Sequence, residues 1–275
     1  MKLKLLLFLF CAVCIKLFSQ PYYGKQNTKD LPKAEFLLAN GSTVNAFFVG
    51  YTYPNGTYPG FFDKDDIYNF IYKKTKTSED EKFGADEVKM LKIYDEHDDV
   101  TSTIERLDMK YIDKDGKVND KRKRSFQPLL YDGKIQIYGS NMKMCSTVSC
   151  NYVYSQLYIR NAKDEFAVMP VDYDKLGLFA GSLYEKMVEA FRYAGRDCQE
   201  FQKYMDMFEA KIQDKEFKKT MNAKFKDIRK KAFDEGKKDK LGHNATQELL
   251  GDYMLQAYLE FYGGIIKEYE KNCPY

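Results

Sequence analysis

The sequence predicts an α+β protein: an antiparallel β-barrel or sandwich followed by a C-terminal helical subdomain. Three observations lead there. Residues 34–170 are filled by short apolar runs in which buried-type and polar residues alternate, and turn dipeptides separate those runs. No long helical crossover lies between them, which argues against a parallel sheet. Beyond Pro170 the apolar period changes to that of a helix.

The strands follow in order. Ala34–Leu38 and Thr43–Val49 flank Asn40-Gly41, and Leu129–Tyr131 and Lys134–Tyr138 flank Asp132-Gly133. Both dipeptides predict tight type I′ hairpins, because such turns need positive φ at both central residues. Asp113-Lys114-Asp115-Gly116 marks a third turn after a Leu107–Ile112 strand. Ile67–Tyr72, Val88–Tyr94 and Phe166–Met169 complete the clearer segments. In Asn151–Arg160, Tyr152, Tyr154 and Tyr158 alternate with Val153, Leu157 and Ile159, the pattern of a two-faced strand. About nine strands are expected.

From Leu183, the residues Met187, Ala190, Phe191 and Ala194 recur on one helical face, and Gly195 ends the run. Asp197 with Glu200 has capping-box spacing for a second helix carrying Cys198, Phe201, Met205 and Phe208. A third helix over about Asp214–Phe233 turns Phe217, Met221, Phe225, Ile228 and Ala232 inward. The fourth starts at Asn244, with Gln247 as capping partner, and ends near Cys273.

The N-terminus predicts an address. Lys2 and Lys4 precede an apolar run from Leu5 to Ile15, and Ser19-Gln20 is a small-to-polar step beyond it. This is the pattern of a secretory signal peptide, and the run is shorter than the ~20 residues a membrane span needs. The residue before Cys14 is Val13, where an acylated lipoprotein signal needs a small residue, so cleavage without lipid is expected. The predicted organisation is a signal peptide at 1–19, a β-rich domain at 20–170 and a helical subdomain at 171–275. The mature protein is expected to be secreted or periplasmic, with no transmembrane span.

Removing residues 1–19 takes three of the 44 Lys and Arg and none of the 41 acids, so a formal charge of +3 becomes zero. A neutral chain offers no global electrostatic case for nucleic acid as a partner. Four cysteines remain, Cys145, Cys150, Cys198 and Cys273, and an even number in an exported chain predicts two disulfides. Zinc is the competing reading, but the tight Cys-x-x-Cys or Cys/His pairs of zinc sites are missing. The polar loop between Cys145 and Cys150 lets that pair close on itself. Antiparallel packing of the second and fourth helices would join Cys198 to Cys273.

Few residues suggest chemistry. Glu96-His97-Asp98-Asp99 mixes an imidazole with carboxylates, and Asp113-x-Asp115 has two acids in calcium-loop spacing. Adjacent loop residues seldom converge on one ion, and Lys117 occupies the next ligand position, so a solvated loop and a turn are expected. No metal site and no cofactor are assigned. Gly-x-Ser-x-Gly and His-Glu-x-x-His motifs are absent, and no catalytic residue is assigned. A glycosidase needs only two carboxylates, but the chain has no Trp with which to stack sugars.

Two surfaces invite binding. Lys121-Arg122-Lys123-Arg124 is compact, and residues 211–240 hold twelve Lys and Arg against six acids. Such a helix either lies on anionic lipid or glycan, or is packed by its apolar stripe with lysines in water. The segment from Tyr51 to Phe62 places Tyr51, Tyr53, Tyr58, Phe61 and Phe62 among Pro and Gly residues. Flat rings on a stiff loop suit a sugar face or a protein groove; the alternative is that they cover the open end of the barrel.

Several motifs resemble a group of secreted Bacteroidota proteins of uncharacterised function. They are Phe18-Ser19-Gln20, the Asn40-Gly41 hairpin, Asp86-Glu87-Val88, the strand Asp132–Tyr138, Tyr158–Arg160, Asp197-Cys198 and Tyr269–Cys273. The resemblance implies fold and compartment and carries no activity. The chain departs from it by extra charged sequence at about 211–243 and by the Cys145/Cys150 pair. The function expected is that of a secreted or periplasmic non-enzymatic protein that binds an envelope protein or glycan. A hydrolase acting on an extracellular polymer is the alternative.

Overall fold

The computed structural model describes residues 31–52, 67–113, 117–145, 148–171 and 183–273. It is an α+β fold in which strands, including a closed five-strand barrel, precede four helices. Residues 31–52 and 67–106 belong to one compact unit, and 107–273 to a second.

The first unit holds β1 (Lys33–Leu38), β2 (Thr43–Thr52), β3 (Asn69–Lys73), β4 (Glu81–Gly84), β5 (Val88–Tyr94) and the start of β6 (Val100–Ile112). Its strand order is β6-β5-β1-β2-β3-β4. Alternation along β1 buries Ala34 and Phe36 and along β5 buries Leu91 and Ile93, while Val88 is buried across a register shift at the start of β5. Phe36 meets Phe70, Tyr72 and Phe83 at ring-centroid distances of 6.1, 5.7 and 5.4 Å. Tyr72 and Phe83 stack at 4.3 Å, which fixes β4 to β3 through side chains as well as through the ladder. A four-residue strand such as β4 carries little pattern of its own, which is why the sequence does not announce it.

The second unit adds β7 (Val118–Tyr131), β8 (Ile135–Cys145), β9 (Cys150–Asn161) and β10 (Phe166–Met169). Order β10-β9-β8-β7-β6 closes by a β10–β6 pairing, which is parallel, with Phe166 opposite Asp108 and Met169 opposite Tyr111. In a meander with an odd number of strands the first and last point the same way, so closure has to be parallel. Leu107, Met109, Tyr138, Tyr158, Ala167 and Met169 form one buried cluster on the barrel strands. The opposite faces, with Ile135, Ile137, Leu157, Ile159 and Val168, pack into a larger cluster with the helices. Gly139 has φ of 156°, and a Cβ there would lie 2.1 Å from the Gln156 carbonyl oxygen, so only glycine fits this bend.

Four helices follow: α1 (Leu183–Ala194), α2 (Gln199–Gln213), α3 (Lys215–Lys238) and α4 (His243–Asn272). Met187, Phe191, Phe201, Met205, Phe208, Leu255, Leu259 and Tyr262 share the large cluster. None of these helices is long and apolar enough to cross a membrane.

The turns depart from the sequence reading. Only Gly41 in Asn40-Gly41 has positive φ, at 85°. The loop is one residue longer than a type I′ turn: Gly41 N donates to Leu38 O at 3.0 Å and Leu38 N to Ser42 O at 2.8 Å. Asn40 Oδ1 accepts from Ser42 N and Oγ, so the asparagine is used for its side chain and the glycine alone for its φ. Neither Asp132 nor Gly133 has positive φ. Gly133 answers a close approach instead, since a Cβ there would come within 2.5 Å of Glu270 Oε1.

Two helix starts also differ. Cys198 is the N-cap of α2 without a side-chain cap, and Asp197 Oδ1 accepts from the Tyr269 hydroxyl at 3.2 Å. Gly242 caps α4 without a side chain, while Asn244 and Gln247 reach the barrel. The third expected start holds: Asp214 Oδ1 accepts from Phe217 N at 2.9 Å. That helix runs past Phe233 to Lys238, and Gly236 lies against Thr246, where a Cβ would meet Oγ1 at 2.6 Å.

Candidate functional site

Of the five aromatic residues singled out as a binding loop, Tyr53, Tyr58, Phe61 and Phe62 lie outside the described residues. Tyr51 is half-buried in β2, with its ring 6.1 Å from that of Phe48 and 6.3 Å from that of Phe70. It therefore joins the aromatic packing of the first unit.

The acidic histidine segment is a tight turn between β5 and β6. Asp95 Oδ1 accepts from the backbone N–H of His97 and Asp99, which holds its carboxyl below the usual range, the Asp99 bond contributing most. Asp98 takes the positive φ of 65° and pairs with Lys33 at 2.6 Å, both side chains being exposed. Among the described residues no group of three or more His, Cys, Asp or Glu converges as a metal site would require. Asp113 Oδ1 accepts from Lys117 N at 3.0 Å, and Asp115 lies outside the described residues. In the basic tetrad, Arg124 pairs with Asp108 at 2.6 Å on the neighbouring barrel strand.

The densest polar arrangement forms where α4 crosses β8 and β9. Strand β9 is twelve residues long and β10 only four, paired at Val168 and Ile159, so β10 leaves the start of β9 as an edge. Helix α4 supplies the missing acceptors. Asn244 Oδ1 takes the Cys150 N–H at 2.9 Å and Gln247 Oε1 takes the Tyr152 N–H at 3.1 Å. His243 Nε2 and Asn151 Oδ1 lie 2.9 Å apart, and Lys143 pairs with Glu248 at 2.7 Å. The helical period places 244, 247, 248, 251 and 252 on one face, which is how one helix serves a strand edge for several residues.

The centre of this seam is Gly251-Asp252. A Cβ at Gly251 would lie 2.7 Å from Asn141 Nδ2 and 3.0 Å from the Tyr152 ring, so glycine allows the helix to reach the strands. Asn141 Nδ2 donates to Asp252 Oδ1 at 3.3 Å and Asn141 Oδ1 accepts from Ser155 Oγ at 2.9 Å. Ser155 Oγ in turn shares a hydrogen bond with the Tyr152 hydroxyl at 3.1 Å. Burial pushes the Asp252 carboxyl up to about 6; Lys143 opposes this and Glu248 adds to it. Burial likewise raises the Tyr152 phenol far above its ordinary range. Ser155, Asn141 and Asp252 are thus committed to one another, and the arrangement fastens the helix to the barrel. The sequence holds one signal for it: a Gly-Asp pair inside an apolar helical pattern marks a close approach beside a polar group.

The second fastening is covalent. Cys198 and Cys273 form a disulfide with a Cα–Cα distance of 5.8 Å, joining the start of α2 to the end of α4. Asn161 Nδ2 donates beside it to the Ala194 carbonyl and to the Tyr269 hydroxyl. Cys150 is disulfide-bonded too, and the register of β8 and β9 sets Cys145 directly opposite it; the Cys145 side chain is not among those described.

The chain matches no family model, no curated protein and no solved structure. Fold and site therefore define its class: an α+β protein with a five-strand barrel, bound to its terminal helices by a polar seam and a disulfide.

Proposed function

We propose that this is a secreted or periplasmic, non-enzymatic binding or envelope-associated protein, akin to the secreted Bacteroidota group its motifs resemble. The observation that carries the reading is the Cys198–Cys273 bond. Disulfides of this kind persist in oxidising compartments, which agrees with the signal-type N-terminus. The non-enzymatic part of the reading is supported by what the perturbed groups do. Asp252 and Tyr152, the groups whose protonation is most displaced, serve the joint between helix and barrel.

Fractionation of the native host tests the compartment, together with N-terminal sequencing of the recovered protein. The expected result is a chain beginning at Gln20 with no lipid; recovery from the cytoplasm, or an acylated Cys14, overturns it. Pull-down with envelope proteins and glycans, beside a panel of glycosidase and protease substrates, tests the class. Turnover of an extracellular polymer would replace binding by hydrolysis.

A further inference from the structure

Helix α3 carries ten Lys and Arg against four acids, an excess of six on a chain that is formally neutral once residues 1–19 are removed. These charges are sorted by face. Lys215, Lys219, Lys226, Lys230 and Lys237 recur at i, i+4, i+11, i+15 and i+22, which places them within an arc of about 60° along ~33 Å of helix. All five side chains are exposed. The opposite face is occupied: Ala232 and Gly236 are buried, Phe225 lies 5.2 Å from Tyr258 and Phe217 lies 6.0 Å from Phe261, ring to ring.

The row is poorly neutralised. Lys219 reaches Glu216 only at 3.9 Å and Lys230 pairs with Asp234 at 2.6 Å, while Lys215, Lys226 and Lys237 enter no ion pair among the described residues. Lys215 with Lys219 and Lys226 with Lys230 are like charges at i, i+4, an arrangement that destabilises a helix. A partner that neutralised the row would remove that cost.

We propose that the exposed face of α3 is a docking ridge for a linear acidic polysaccharide. Geometry separates this partner from other polyanions. Glu216, Asp227 and Asp234 line one flank of the row, and the exposed Lys218 and Arg229 line the other before the face that meets α4. A single chain can follow the cations lengthwise beside the acidic flank, whereas a flat anionic membrane would also face those acids. The apolar residues of α3 are turned to α4, so the helix has no wedge to sink into lipid. The ridge also shows no exposed aromatic ring on which a nucleic-acid base would stack. This deepens the binding role proposed above but uses purified protein, so a wrong compartment and a wrong ligand give different failures.

The test measures binding of the purified chain to polygalacturonate, to phosphatidylglycerol vesicles and to a DNA duplex. One variant carries Lys215→Gln, Lys226→Gln and Lys237→Gln. A second carries Lys74→Gln, Lys89→Gln and Lys203→Gln, which removes the same charge from other exposed positions. The polyuronate should bind, with affinity falling roughly 100-fold between 50 and 200 mM salt if about five contacts release counterions. The ridge variant should lose at least ~10-fold and the second variant no more than ~2-fold, with both still folded and the ridge variant melting no lower than the native chain, since it sheds like-charge pairs. Equal losses in the two variants, no binding to polyuronate, or preference for vesicles or duplex each overturn the proposal.

Discussion

Phe36 and Phe201 are both fully buried rings, yet different physics holds them. Phe36 sits in the first unit among Phe70 and Tyr72 of β3 and Phe83 of β4. Its neighbours are side chains on β3 and β4, and its order rests on area removed from water and on ring packing. Phe201 lies in the second unit against Tyr269 at 5.1 Å, over a Gly195 where a Cβ would approach within 2.2 Å. Three residues before it, Cys198 is bonded to Cys273. The same element of chemistry, a buried phenyl ring, is fixed by packing in one place and by packing plus chain closure in the other. Perturbing each should therefore produce losses that differ in location and in sensitivity to reductant.

The largest effect is expected from Phe36→Ala, which should cost about 3–5 kcal/mol through lost burial and an unfilled cavity. Hydrogen exchange should show β1 to β5 losing protection under reducing and oxidising conditions alike, with α1, α2 and α4 unchanged. Equal loss in the helices would mean that the two units unfold as one.

Removing the long bridge by Cys198→Ser with Cys273→Ser should come next. Its sequence separation is 75 residues, for which chain-entropy reasoning gives about 4 kcal/mol. Here the helices should open and the first unit should keep its protection. A reductant should reproduce the effect in the native chain and add nothing in the variant.

The short bridge is expected to contribute about 2 kcal/mol, because it closes only a few residues. Cys150→Ser should fray the β8–β9 tip, where Cys145 faces Cys150, and leave α1 and α2 protected. Peptide mapping without reductant should recover Cys145 linked to Cys150; a link from Cys150 to Cys198 would contradict the geometry of the long bridge.

How much of this was legible depends on the range of the interaction. Strands β5 and β10 are legible to the residue because a short apolar run set between turn residues is a local signal, as is the inward stripe of α2. Strand β7 was read only at its end: Lys121-Arg122-Lys123-Arg124 has no apolar alternation, and its strand form comes from pairing in the barrel. The Cys198–Cys273 pair was accessible because two helix ends, opposite in the chain, meet when the helices pack antiparallel. Asn244 and Gln247 were misread because a cap and a cross-element acceptor look alike in sequence. What decides between them is whether a strand edge lies within reach, and β10 being too short to cover β9 is a property of the assembled sheet. The Asp252 cluster combines residues 141, 152, 155 and 252, and nothing local links them.

That cluster gives the smallest and most specific expectation, because the first unit has no counterpart to it among the described residues. Asp252 has its carboxyl raised from 3.8 to about 6, chiefly by burial, with Lys143 pulling down and Glu248 pushing up. Above pH 6 the carboxyl is ionised in both folded and unfolded chains, and the folded chain bears the cost of burying it. As pH falls from 6 toward 4 the folded chain takes up the proton first, so this group adds stability through that window, and the gain is complete below about 4. The full shift would correspond to about 3 kcal/mol. Water still reaches the half-buried side chain and screens it, so roughly 1 kcal/mol is the expected size. Asp252→Asn keeps an acceptor for Asn141 Nδ2 and removes the titration. Urea midpoints at pH 7.5 and 4.5 should therefore show the variant more stable than the native chain at 7.5, with most of that difference gone at 4.5. A variant that is less stable at pH 7.5, or a difference independent of pH, would show that the Asp252 carboxylate is held charged and contributes as an ion-pair partner of Lys143.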